Sequence, residues 1–224
     1  MNNNKTQNEE SERKQFLIHM YDQMFNDINR HINVIWQPIT VLIGSFALLA
    51  AGTRNILSID LAISLIIILV GWLIANLYDS AYWYNRNLII IGNIERQFLK
   101  QTDLKEIHYY FGQHRSKQSM MTHIRIQWWL GIFIGGLILL YHFFTEVLKI
   151  CPYFTHPAAN FRLELTLPYI TAIVMFIFVY RFRKHRIKSY EYFIDNSPGI
   201  DVDTTGIKFG PGHPIDRIAK NKRK

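Results

Sequence analysis

The chain has 224 residues, 49% of them hydrophobic and 19% charged, with a net charge of +8 and a mean hydropathy of +0.01. One soluble domain could show these averages, but the apolar residues fall in four blocks separated by charged stretches, which excludes a single soluble core. A lone cysteine, Cys151, excludes an intrachain disulfide framework, a thiolate zinc cluster and a Cys-x-x-Cys redox motif, since each needs at least two sulfurs.

Residues 1–33 open with a polar run from Asn2 to Lys14, with no short apolar block followed by small residues, so no cleaved signal peptide is expected. Leu17, Tyr21, Met24, Phe25, Ile28 and Ile32 then recur at three- and four-residue spacing, the pattern of an amphipathic helix. Residues 34–78 form the first predicted transmembrane hairpin, with spans Val34 to Gly52 and Leu61 to Tyr78. In the linker at 79–125, Leu88, Ile91, Ile94 and Phe98 mark one helical face, so the second span is expected to continue as a helix and to pack against the amphipathic one. Thr102 to Arg125 reads as a short helical return. A second hairpin at 126–180 has spans Ile126 to Phe144 and Leu167 to Tyr180, and Gly131 and Gly135 form a G-x-x-x-G packing face on the third span. Pro38 and Pro168 fall in or near the first turns of their helices, where a missing N–H costs little. The remainder, 181–224, is a basic tail. From Ser189 onward, with Pro198, Gly199, Gly206, Gly210, Pro211, Gly212 and Pro214, it is expected to be loop.

Lys and Arg set the orientation. The termini and the 79–125 linker hold 22 of them, against three in the other two loops (Arg54, Lys149 and Arg162), which predicts four spans with both termini and the linker cytoplasmic. Trp36, Trp83, Trp128 and Trp129, with Tyr82, Tyr84 and Tyr180, fall at the same headgroup level. Part of the net charge is this topological signal and part would rest on anionic lipid, so it does not by itself indicate nucleic acid.

The spans carry no ionisable group at mid-depth: Asp60, Asp79, Glu146 and Glu164 lie at or beyond span ends, and His142 near the outer end of the third. This removes the main support for a proton-coupled transporter. No phosphate loop, G-x-S-x-G, His-Glu-x-x-His or carboxylate cluster is present, so no catalytic residue, metal site or cofactor is expected. Cys151 with His156 reads as loop rather than as a metal pair.

Two features remain. On the first span, Gln37, Thr40, Gly44, Ala47 and Ala51 recur at spacings of three and four, with Ser45 adjacent, forming a small or weakly polar stripe that either packs closely against another helix or lines a narrow wet path. After the fourth span, Arg181, Arg183, Lys184, Arg186 and Lys188 put five cations in eight residues, and Arg217 and Lys220 open a second cluster near the C-terminus. A stop-transfer anchor on anionic lipid accounts for the first run. Multiplied around a ring of protomers, the two clusters would also form a site for a nucleotide or single-stranded nucleic acid, and no Gly or Pro separates the fourth span from the first of them.

The phrase Tyr82, Trp83, Tyr84, Asn85, Arg86, Asn87, followed by Asn93, Ile94, Glu95, Arg96, is similar to one in small bacterial membrane proteins. As a whole the chain resembles the small multi-span effectors of bacterial antiphage systems, the four-span Hailong-type transmembrane effectors above all. The resemblance is one of architecture and transfers no residue roles. It implies a homo-oligomeric channel controlled by a nucleotide-derived cytosolic signal, a nucleotidyltransferase encoded nearby, and depolarisation of the infected cell on opening. The expectation is therefore an all-α integral protein of the bacterial inner membrane acting as an oligomeric pore. A non-conducting inner-membrane scaffold or anchor that recruits a cytosolic partner is the rival.

Overall fold

The structure, a computed structural model, describes residues 2–32, 36–99, 118, 120–148 and 163–197. The described residues are helical with no strand. In chain order the helices are α1 (Asn2–Ile32), α2 (Gln37–Thr53), α3 (Ile59–Phe98), α4 (Thr122–His142) and α5 (Leu167–Asp195). Among the described residues three segments are long and apolar enough to cross a membrane, Ile59–Glu95, Thr122–Val147 and Leu163–Asp195, while α2 is a shorter apolar helix of 17 residues. The chain divides into two compact units.

The larger apolar unit holds α2, the part of α3 up to Asp79, α4, and α5 up to Arg186. Trp36 is the N-cap of α2 and Pro38 sits in its first turn, where φ is already helical and no donor is lost. The C-terminus of α2 is a Schellman motif: Asn55 takes a left-handed φ of 57°, its N–H donates to Gly52 O, and the Ile56 N–H donates to Ala51 O. Asparagine tolerates this conformation, so the chain reverses in a few residues. Ser58 then caps α3, its hydroxyl accepting from the Leu61 N–H at 3.3 Å.

The core of this unit is α3. Ile63, Ile66, Val70, Leu73 and Leu77 are buried at alternating three- and four-residue spacing. Val41 of α2 and Ile124 of α4 pack with Leu73 and Leu77, and Ile134 of α4 with Ile66, Val70 and Ile74. Gly131 and Gly135 let α4 approach α3, since a Cβ at either would stand 3.4 Å from Ile74 Cγ1 or Val70 Cγ1. The G-x-x-x-G face is thus used within one chain. By contrast, α5 leaves Ile173, Phe176, Ile177 and Phe178 exposed, an apolar surface suited to hydrocarbon rather than water.

The second unit contains α1 and the C-terminal parts of α3 and α5, from Ser80 and Ile187 onward. α3 runs unbroken to Phe98 through Gly92, as expected. Arg13 of α1 donates to Gln97 Oε1 at 3.5 Å. Ile28, Leu88, Ile91 and Ile94 are buried, consistent with the expected pairing of the two amphipathic faces, whereas Phe25 and Phe98 are exposed.

The structure moves one boundary. The start of the first predicted span, Val34, lies outside the described residues, and α2 is described from Gln37. The stretch from Ser189, expected as loop, stays helical through Asp195. The reason is packing, because Tyr190 and Ile194 are fully buried against Ile89, with Tyr82 and Phe193 alongside. Most of the residues expected as a helical return, together with Cys151, His156, Arg217 and Lys220, lie outside the described residues.

Candidate functional site

Three polar side chains from three helices meet at one end of the apolar unit. Asp60 stands in the first turn of α3, His142 is the last residue of α4, and Tyr169 is in the first turn of α5. His142 Nε2 lies 2.7 Å from Asp60 Oδ1, and His142 Nδ1 lies 3.0 Å from the Tyr169 hydroxyl. The His142 side chain is wholly buried and that of Asp60 is 4% exposed. A neutral imidazole satisfies both contacts, with Nε2–H donating to the carboxylate and the tyrosine hydroxyl donating to Nδ1. Directly after His142 the helix widens into a π turn, Phe143–Val147, the kind of local irregularity that re-aims a helix end. The sequence shows Asp60 and His142 as separate span-end residues. Their pairing is invisible there because 82 positions separate them.

The other end of the same unit is cationic. Arg186 is ion-paired with Asp79, and the Arg183 guanidinium stands 5.8 Å from the centre of the Tyr78 ring. Arg181, Arg183, Lys184 and Lys188 are exposed. The basic run expected to bind a signal is thus divided: Arg186 is half-buried and paired with α3, Arg183 is exposed with its guanidinium over an α3 ring, and the other three are exposed.

The stripe on α2 is also divided. Thr40 and Ala47 are exposed, while Gln37, Gly44 and Ala51 are half-buried. Ser45 is buried, its hydroxyl donating to Val41 O at 2.7 Å within the helix, so it belongs to the face turned toward the core. A Cβ at Gly44 would be 3.7 Å from Leu69 Cδ1, an ordinary contact. The tight crossing is at Gly52, where a Cβ would meet Ile59 Cδ1 at 2.9 Å and Ala62 Cβ at 3.2 Å.

No family model, curated protein or solved structure matches the chain.

In the second unit, the Tyr82 to Asn87 phrase is a packing element. Arg86 lies over Trp83 at 5.0 Å and over Phe193 of α5 at 5.4 Å. Tyr82 meets Tyr190 edge to face at 6.5 Å, Tyr84, Asn85 and Asn87 are buried, and Asn93 donates to Ser197 Oγ at 3.4 Å. The Tyr21 hydroxyl donates to Glu95. Burial, reinforced by the Glu95 charge and this bond, raises its pKa above the ordinary 10.0. Among the described residues no group of three or more His, Cys, Asp or Glu could hold a metal ion.

Proposed function

We propose that this chain is a four-span protein of the bacterial cytoplasmic membrane, with both termini cytoplasmic, whose copies assemble into an ion-conducting pore. The observation that carries the reading is the half-covered stripe of α2. Within one chain Val41 and Ser45 are buried, while Thr40 and Ala47 stay exposed beside the large apolar Ile39, Ile43 and Phe46. Thr40 and Ala47 gain less from lipid than these neighbours, and a second copy or a water-filled axis suits them better. At 1.5 Å per residue the 17 residues of α2 cover about 25 Å, near the lower end of what spans the hydrocarbon. The excess of 22 basic residues over three supports the orientation. On this reading the exposed cations Arg181, Lys184 and Lys188, with Arg217 and Lys220, receive a nucleotide or short single-stranded signal.

The rival reading, a non-conducting membrane anchor for a cytosolic partner, draws on Phe16, Ile18 and Phe25, large apolar side chains exposed on α1. Planar-bilayer conductance of the purified, reconstituted protein separates the two. Discrete conductance that changes on addition of short single-stranded oligonucleotides, and that Gly44→Leu or Ala47→Leu abolishes while membrane insertion is retained, is expected. A reconstituted oligomer that passes no current with or without oligonucleotide overturns the pore in favour of the anchor.

A further inference from the structure

We infer that the groove between α3, α4 and α5 binds one acyl chain of an anionic phospholipid, with Arg183 holding its phosphate. The groove encloses about 350 Å³ and is walled by Val70 and Ile74 of α3, Gly135 and Gly136 of α4, and Met175 and Val179 of α5. Its hollow form has a simple cause. Two consecutive glycines on α4 remove side chains from one wall, and nothing stands within 4 Å of where a Cβ of Gly136 would be.

Length and charge select the occupant. Along α5 the lining runs from Ala172 to Arg183, about 16 Å at 1.5 Å per residue, which matches one leaflet of a hydrocarbon core roughly 30 Å thick. Arg183 is the one charged residue of the lining, and Trp128, Tyr78 and Tyr180 accompany it, the aromatic company of a headgroup level. Arg186, one turn on, is already paired with Asp79. Among the described residues no carboxylate is paired with Arg183, whose guanidinium lies over the Tyr78 ring. A guanidinium resting over a ring keeps N–H groups to offer, in the fork that binds a phosphate through two parallel hydrogen bonds. A zwitterionic headgroup carries the same phosphate but sets its own cation beside it, which competes with Arg183, and a free phosphate lacks the chain. The groove between α2 and α4, about 690 Å³ with Leu42, Phe46, Leu49, Phe133 and Leu137 among its walls, has no charged residue in its lining and supplies a built-in comparison without headgroup selection.

The inference rests on the three long helices crossing the bilayer and is independent of conduction. Native mass spectrometry of the full chain in detergent, titrated with phosphatidylglycerol or phosphatidylcholine, tests it. The wild type should retain phosphatidylglycerol preferentially. Arg183→Gln should weaken that binding about tenfold, the worth of one charge-assisted contact, and erase the preference. A Cβ at Gly136 meets nothing within 4 Å, so Gly136→Leu places its side chain in the groove and should lower retention at this site, with helicity by circular dichroism unchanged. Preference surviving in Arg183→Gln overturns the phosphate contact. Equal displacement by inorganic phosphate overturns the acyl chain. A Phe176→Cys variant that cross-links two copies at this groove while no lipid is retained shows that a second copy is the occupant, and overturns the inference.

Discussion

His142 is held on both ring nitrogens, by Asp60 at 2.7 Å and Tyr169 at 3.0 Å, in a place without water-exposed surface. Removing one partner there leaves a buried polar atom unmatched, so Asp60→Ala or His142→Ala should each destabilise by about 1–3 kcal/mol in urea titrations of the detergent-solubilised protein. The double variant should cost less than the sum, because the second change removes the group that the first left stranded. Tyr21 makes a pH-dependent contribution of the opposite kind to a carboxylate's. Its folded-state pKa is raised above 10.0, so the neutral form is favoured by folding. The stabilisation is present in full below the pKa of an unfolded tyrosine and is lost as pH rises through the higher folded value. Hydrogen exchange along α1 should therefore accelerate above about pH 10 in the wild type, and Tyr21→Phe should flatten that dependence.

Among the elements, the glycines sort by what a side chain would meet. At Gly71 a Cβ would collide with the flexible end of Met175 and stand 3.2 Å from Met175 Cβ, so Gly71→Ala must displace the thioether end of Met175 and crowd its Cβ. At Gly52 it would press on Ile59 and Ala62 across the hairpin. Both substitutions should destabilise by roughly 1–3 kcal/mol, whereas Gly136→Ala, which meets nothing, should be neutral or gain up to about 1 kcal/mol of helix propensity. Thermal unfolding of the three single variants in one detergent gives the ranking. The small-residue patterns are legible as sequence, but which helix each one faces is not. Gly131 and Gly135 could have served a second chain, and they turn out to seat Val70 and Ile74 of their own.

For the whole molecule, the testable quantity is orientation. Tags at residues 1 and 224 should both be shielded in intact cells, while Cys151, in a loop expected outside, should react with a thiol reagent that cannot cross the membrane. Labelled termini with a protected Cys151 would reverse the topology. Neutralising Arg181, Lys184 and Lys188 should leave this pattern intact, because 19 basic residues would still face three, yet should flatten the salt dependence of oligonucleotide binding if those cations receive the signal.

Hydropathy and helical spacing suffice to show that the described residues are helical, that α3, α4 and α5 are long and apolar enough to cross a membrane, and that the second span continues unbroken, because these depend on local composition and on the fixed rise of a helix. The contacts that distinguish this molecule are tertiary. Asp60 meets His142 across 82 positions, Arg186 leaves its basic run for Asp79, and Tyr190 with Ile194 holds as helix the stretch from Ser189 to Asp195, which precedes the Pro and Gly residues that make the tail read as loop. Each is a choice of partner made by packing between distant segments, and no periodicity within one segment encodes which neighbour will bury it.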